Sequence, residues 1–130
     1  MLSFDVFEHI PDSDAHLMEV RRVLRSGGRY LLQTPNKWTN SVFETIRWRS
    51  LTAWRQDHCS LHSAREFRSR LSTHGFDTRF YDVPVVTDFF RRKIRHHLGR
   101  PGSVLLRLVN PDRLPLPLKT NLYIEATTTT

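Results

Sequence analysis

The sequence holds a single cysteine, Cys59, so no disulfide can form within the chain, and a reducing cytoplasm is the expected setting. Its apolar runs are short, as in Val104-Leu105-Leu106, far from the ~20 residues that span a bilayer. No basic segment followed by an apolar stretch opens the chain, so no signal peptide is expected. Cysteine and histidine never recur at zinc-ligand spacing; His62, His74, His96 and His97 are dispersed and read as structural or exposed. Glycine is scarce, with five residues, and the one pair, Gly27-Gly28, follows a helical segment and precedes a strand-like one. That is the reverse of a strand–glycine loop–helix phosphate cradle, and it reads as a helix stop. Acidic residues are the minority, 13 against 20 Lys+Arg, which leaves a net charge of +7 and a pI near 10.5. Such a surplus admits nucleic acid, anionic lipid or acidic ligands as partners, and a solvated arginine-rich surface also accounts for it.

What is present suits one globular domain: 130 residues, 38% hydrophobic, mean hydropathy −0.47. A chain of this length buries roughly two-thirds of its unfolded surface. An apolar, extended start (residues 1–4) is followed by Pro11-Asp12-Ser13, where Asp12 or Ser13 can cap a helix running to about Leu24. Arg29 to Thr34 reads as a strand ended by Pro35-Asn36, and residues 37–57 as a helix or partly helical lid. Ser63-Ala64-Arg65-Glu66 is a capping box for a helix that Gly75 closes, and Asp77 to Val83 alternates as a strand does. Residues 88–100 form a basic amphipathic helix with Phe89, Phe90, Ile94 and Leu98 as its stripe; Pro101-Gly102 breaks it, and 104–109 is a further helical candidate. Pro111 to Pro117 should be irregular, Asn121 to Ala126 is a last strand, and the threonine tail is expected to fray. Strands alternating with helices predict an α/β fold with a parallel sheet of about four strands, the first of them clipped.

The run Ser3 to Asn36 resembles the second half of a class I S-adenosylmethionine-dependent methyltransferase. The parallel lies in a strand ending in an acid-rich turn (Ser3–Ile10), a helix (Asp14–Leu24), an Arg-Val-Leu-x-x-Gly-Gly turn (Arg22–Gly28) and a strand ending in Thr-Pro-Asn (Tyr30–Asn36). His58 to Phe67, leading to Gly75-Phe76, is similar to the family's next histidine-preceded, capped helix. The resemblance covers roughly residues 1–83 and a last strand at 121–126. It implies a Rossmann-like sheet, of which this chain holds the last strands and helices of a doubly wound fold. It further implies one partial domain over 1–130, with a basic helical insertion at about 85–118 that covers the acceptor pocket. The family's glycine-rich cofactor loop and ribose-binding acid would both lie before Met1, so the chain is expected to be truncated, or mis-started, and a poor binder of S-adenosylmethionine by itself.

The acidic turn concentrates the chemistry. Asp5 and Glu8 are three apart, with His9 adjacent, and two carboxylates with an imidazole form a divalent-ion set. In two branches of the resembled family, ubiquinone-pathway O-methyltransferases and small-RNA 3′-terminal 2′-O-methyltransferases, an acid-x-x-Glu-His turn binds such a metal. A histidine in an Asp-His segment joins it in the RNA branch; here Asp57-His58 holds that place, and Asp5 stands where glutamate is usual. By resemblance, then, the metal set is Asp5, Glu8, His9 and His58, where the ion would orient and acidify an acceptor hydroxyl. Without a metal, Glu8 and His9 line the acceptor pocket as catalytic residues, with His9 or His58 a general base, or they sit in a solvated turn. Phe4 matches a position bordering the cofactor's methionine part, and Trp38, Trp48 and Trp54 either stack on an aromatic acceptor or pack in core and lid. The function expected is the acceptor-side part of an O- or small-molecule-directed methyltransferase. The alternatives are a basic module that binds nucleic acid or an anionic membrane through residues 88–100, and a non-functional remnant.

Overall fold

The computed structural model describes residues 1–48 and 59–129, with the side chains of 43–48, 93, 97 and 98 left aside. Four strands, β1 (Leu2–Phe4), β2 (Arg29–Pro35), β3 (Phe76–Tyr81) and β4 (Asn121–Thr128), make one sheet in the order β1-β2-β4-β3. The helices are α1 (Ser13–Val23), α2 (Lys37–Trp48), α3 (Ala64–Thr73) and α4 (Asp88–Leu108), and a 3-10 turn (Phe7–His9) follows β1. The α/β class expected from the sequence is the one observed. The sheet is not parallel throughout, however: β1 and β2 are parallel, whereas β4 runs antiparallel to both β2 and β3. After β3 the chain crosses α4 and comes back between two strands that are already in place.

Pairing register decides which face becomes core. Ser3 lies opposite Leu32, Leu32 opposite Ile124, and Ile124 opposite Phe80, so these four share one face. With Tyr30, Thr34, Leu122, Ala126 and Phe76 they form the floor on which α1 and α3 set Leu17, Val20, Phe67 and Leu71, all at most 2% exposed. The opposite face carries Leu2, Phe4, Leu31 and Tyr81, and it remains open, with Leu2 64% and Phe4 58% exposed. Among the described residues β1 pairs only with β2.

Local chemistry places the helices where the sequence suggests. Asp12 caps α1 by accepting from the Ala15 amide at 2.9 Å. Ser63 and Glu66 close a reciprocal capping box on α3: the Ser63 amide donates to Glu66 Oε2 at 2.7 Å and the Glu66 amide to Ser63 Oγ at 3.3 Å. The glycine pair acts differently from expectation. α1 already stops at Leu24, in extended conformation with its side chain against the core, and the glycines shape the tight turn that follows. Gly27 has φ +70, and a Cβ on Gly28 would lie 2.7 Å from the Arg25 carbonyl oxygen. The break in α4 falls at Gly99 (φ 58), two residues before Pro101.

Thr128 and Thr129 are pinned where the threonine tail was expected to fray. Thr128 is 3% exposed; its amide donates to the Gly28 carbonyl at 2.9 Å and its hydroxyl to the Arg25 carbonyl at 3.0 Å. Arg21 in turn holds the Thr129 carbonyl at 2.7 Å. At the other end of β4, Asn36 is fully buried. Its amide nitrogen reaches the carbonyls of Pro117 (3.0 Å) and Lys119 (2.9 Å), and its backbone amide donates to the Thr120 carbonyl at 2.9 Å. With the Thr39 hydroxyl, which donates to the Lys119 carbonyl at 3.0 Å, this side chain ties down the irregular 116–120 segment that delivers β4. Asn36→Leu should therefore cost about 1–2 kcal/mol in chemical denaturation, because it removes the donor to the Pro117 carbonyl and leaves the Lys119 carbonyl to the Thr39 hydroxyl, 3.0 Å away; a loss under ~0.5 kcal/mol would show that the segment is held by other means.

Candidate functional site

The carboxyl ends of β1 and β2 lie side by side, since Phe4 pairs with Gln33. Beyond Phe4 the ladder extends by one bond, from the Asp5 amide to the Gln33 carbonyl at 3.1 Å. Asp5 then turns the chain with φ 50, and it is the only residue other than glycine described with positive φ. Aspartate tolerates this region better than most side chains, at a cost of the order of 1 kcal/mol. Its carboxylate accepts from Gln33 Nε2 at 2.9 Å, which fixes it on the open face of the sheet.

The next residues drop to the other face. Phe7 enters the core, fully buried, and Glu8 follows at 1% exposure with Oε2 accepting from the Thr34 hydroxyl at 2.9 Å. The Ser60 amide donates to the Glu8 carbonyl at 3.0 Å, and Ser60 Oγ donates to the Ile10 carbonyl at 2.5 Å. Cys59, exposed, also donates toward the Glu8 carbonyl, at 3.5 Å. The turn is thus clamped from β2 on one side and from residues 59–60 on the other. His9 is exposed at its rim.

These placements separate residues that the sequence groups. Asp5 faces Gln33 on the open face, Glu8 faces Thr34 in the interior, and His9 faces outward. Among the described residues no three His, Cys, Asp or Glu side chains come together as a metal set. The expected ligand set of Asp5, Glu8 and His9 therefore does not fit a metal: a left-handed residue followed by a 3-10 turn sends the two carboxylates to opposite faces. His58 lies outside the described residues, as does Trp54. Glu8, expected as a catalytic or pocket-lining residue, is 1% exposed and has one carboxylate oxygen on the Thr34 hydroxyl. Phe4 stands at the end of β1, 58% exposed, and Trp38 opens α2 at 60% exposed, so Trp38 is not core. A cleft of about 280 Å³ lies on the same edge, lined by Pro35, Thr39, Asn40, Thr120 and Asn121.

Behind the turn sits a histidine–aromatic cluster. His62 stacks edge-on against Phe7 and Phe67, with ring centroids 5.9 and 5.2 Å away, and its Nε2 is buried with no hydrogen-bond partner among the described residues. Burial first, then the Arg70 guanidinium, pushes its pKa down from 6.5 to about 4. His16 Nε2 lies 3.2 Å from the Tyr30 hydroxyl, and burial lowers its pKa as well. Periodicity gave no sign of this cluster, whose members come from four separate segments.

A family model described as "Methyltransferase domain" matches residues 1–79. The chain belongs to the methyltransferase domain family. Three solved structures share the fold of this methyltransferase domain. One is the YcgJ protein of Bacillus subtilis (16% identity, TM-score 0.56, covering 99% of this chain and 63% of that one). A second is a putative methyltransferase of Bacillus halodurans (14%, 0.55, 99% and 63%). The third is phosphoethanolamine N-methyltransferase 2 of Haemonchus contortus, solved with phosphomonomethylethanolamine and S-adenosylhomocysteine (17%, 0.55, 98% and 32%). No curated protein sequence matches. The domain thus spans less than two-thirds of the length of these solved chains.

The histidine cluster carries a pH signature. A native pKa near 4 against an ordinary 6.5 means that the unfolded domain takes up the proton first. Stability is therefore full above pH 6.5 and drains as pH falls toward 4, by roughly 1–2 kcal/mol after discounting for the partly exposed ring. Glu66 acts lower: against the opposing effect of burial, Lys37 and the Ser63 donors hold it at about 2. Thermal melts between pH 7 and 4.5 should show a falling midpoint that flattens in His62→Leu; an equal fall in the variant would assign the loss elsewhere.

Proposed function

We propose that this chain is the acceptor-side portion of an S-adenosylmethionine-dependent methyltransferase that acts on an oxygen or another small-molecule acceptor. In open α/β sheets, ligands bind beyond the carboxyl ends of the strands. The observation that carries the reading is the edge where β1 and β2 end together, with the clamped turn Asp5–His9, the exposed Trp38 and the neighbouring cleft all gathered on it. Methyl transfer is an in-line displacement, so the protein's main contribution is to hold donor and acceptor in attack geometry. A turn tied down from two sides supplies such a surface.

Each residue has a distinct role in this reading. His9, at the rim, accepts the acceptor's proton. Glu8 is a positioning residue: through Thr34 it fixes the turn that presents His9. Trp38 offers a flat apolar wall to the acceptor, and Phe4 borders the donor. The donor itself is not held by these residues. All five glycines are accounted for elsewhere: Gly27 and Gly28 before β2, Gly75 before β3, Gly99 and Gly102 within α4. None lies between a strand and the helix after it, where backbone must approach the cofactor. The uncovered sheet face at Leu2, Phe4 and Leu31, together with the free outer edge of β1, is where donor-side strands and helices would add. The helical connection between β3 and β4 is the insertion in this architecture.

The test is methyl transfer by a chain extended upstream with a donor segment, using labelled S-adenosylmethionine and a panel of hydroxylated small molecules. His9→Ala should lower kcat/KM by at least about tenfold and remove the acid limb of the pH–rate profile. Glu8→Gln should lower the melting temperature with a smaller effect on kcat, and a chelator should leave activity unchanged. A His9→Ala variant with wild-type rate and pH profile would overturn the assignment.

A further inference from the structure

Helix α4 carries six basic residues and one acidic residue between Asp88 and Leu108. At Gly99 it bends, and the two halves enclose an apolar groove of about 240 Å³ lined by Phe90, Ile94, Leu105, Leu106 and Val109. A second cleft, of about 470 Å³, is lined by Arg95, Arg100, Arg107, Ser103 and Val104. The same bent helix therefore sets three guanidinium groups and a hydroxyl around one opening, and Phe89 (68%), Leu105 (58%) and Leu108 (77%) of this helix are exposed as well. Arg95, Arg100 and Arg107 form no ion pair with a described residue.

We propose that the bent α4 docks this domain on an anionic lipid bilayer: Arg95, Arg100 and Arg107 receive headgroup phosphates, and the leucine side enters the interface. Charge complementarity names the partner. Guanidinium groups pair with phosphate oxygens, two N–H donors at a time. A nucleic-acid backbone would satisfy those cations as well, but it would leave Phe89, Val104, Leu105 and Leu108 in water, whereas the bilayer interface buries them. No described helix is long and apolar enough to cross a membrane, so the contact is lateral. The inference goes beyond the methyltransferase reading and does not depend on it, since no residue of the acceptor edge takes part.

Vesicle co-sedimentation of the full chain tests it. Binding should require phosphatidylglycerol in phosphatidylcholine vesicles and weaken as salt rises. The triple variant Arg95→Gln/Arg100→Gln/Arg107→Gln should bind on the order of a hundredfold more weakly and flatten the salt dependence. Leu105→Ser/Leu108→Ser, at exposed positions, should bind more weakly while keeping the salt slope. Circular dichroism melts confirm that both variants fold. Equal binding to neutral and anionic vesicles, wild-type binding by the arginine variant, or salt-dependent binding to DNA or RNA without vesicle binding would each overturn the proposal.

Discussion

The structure depends on the insertion of its last strand. β4 lies between β2 and β3, pairing with both, and its alternate residues Leu122, Ile124, Ala126 and Thr128 form the middle of the core floor. Without it, β3 has no partner in the sheet and β2 keeps only the three-residue β1. The two ends of β4 are therefore anchored, by Asn36 at its entry and by Arg21, Arg25 and Gly28 at its exit. Such a topology postpones sheet completion until the whole chain is available, and the entropy of closing that long loop must be met before the pairing rewards it.

The candidate site inherits its rigidity from the same floor. Thr34 is one position from the end of β2, opposite Leu122 of β4, and it is the residue that holds Glu8. The acid–acid–imidazole cluster of the sequence thus becomes three separate things: a left-handed hinge at Asp5, a buried tether at Glu8 and an exposed imidazole at His9. The left-handed backbone at Asp5, followed by the 3-10 turn, is what sends the Asp5 and Glu8 carboxylates apart despite their spacing of three.

Much of this was legible beforehand because it is local. The Asp12 cap, the Ser63–Glu66 box and the β2 strand ending at Pro35 each depend on residues within a few positions of one another. The family resemblance, carried by the ordered series from Ser3 to Asn36, also held. The parallel sheet did not, since strand direction is set by a connection of some forty residues and not by periodicity within β4. Nor was the division of Asp5 from Glu8 visible: spacing by three suggests one face only if the turn is helical from its first residue, and Asp5 is not. Asn36 and Thr34 look like strand-end residues in one dimension; their importance comes from partners about 80 and 26 positions away.

The proposed function is a division of labour, with the acceptor edge assigned to these residues and the donor cradle to others. Isothermal titration calorimetry of this chain with S-adenosylmethionine tests it most directly. The account predicts no saturable heat. A saturable isotherm with micromolar affinity would contradict it, because it would require a donor pocket among residues whose five glycines all lie before β2, before β3 or within α4.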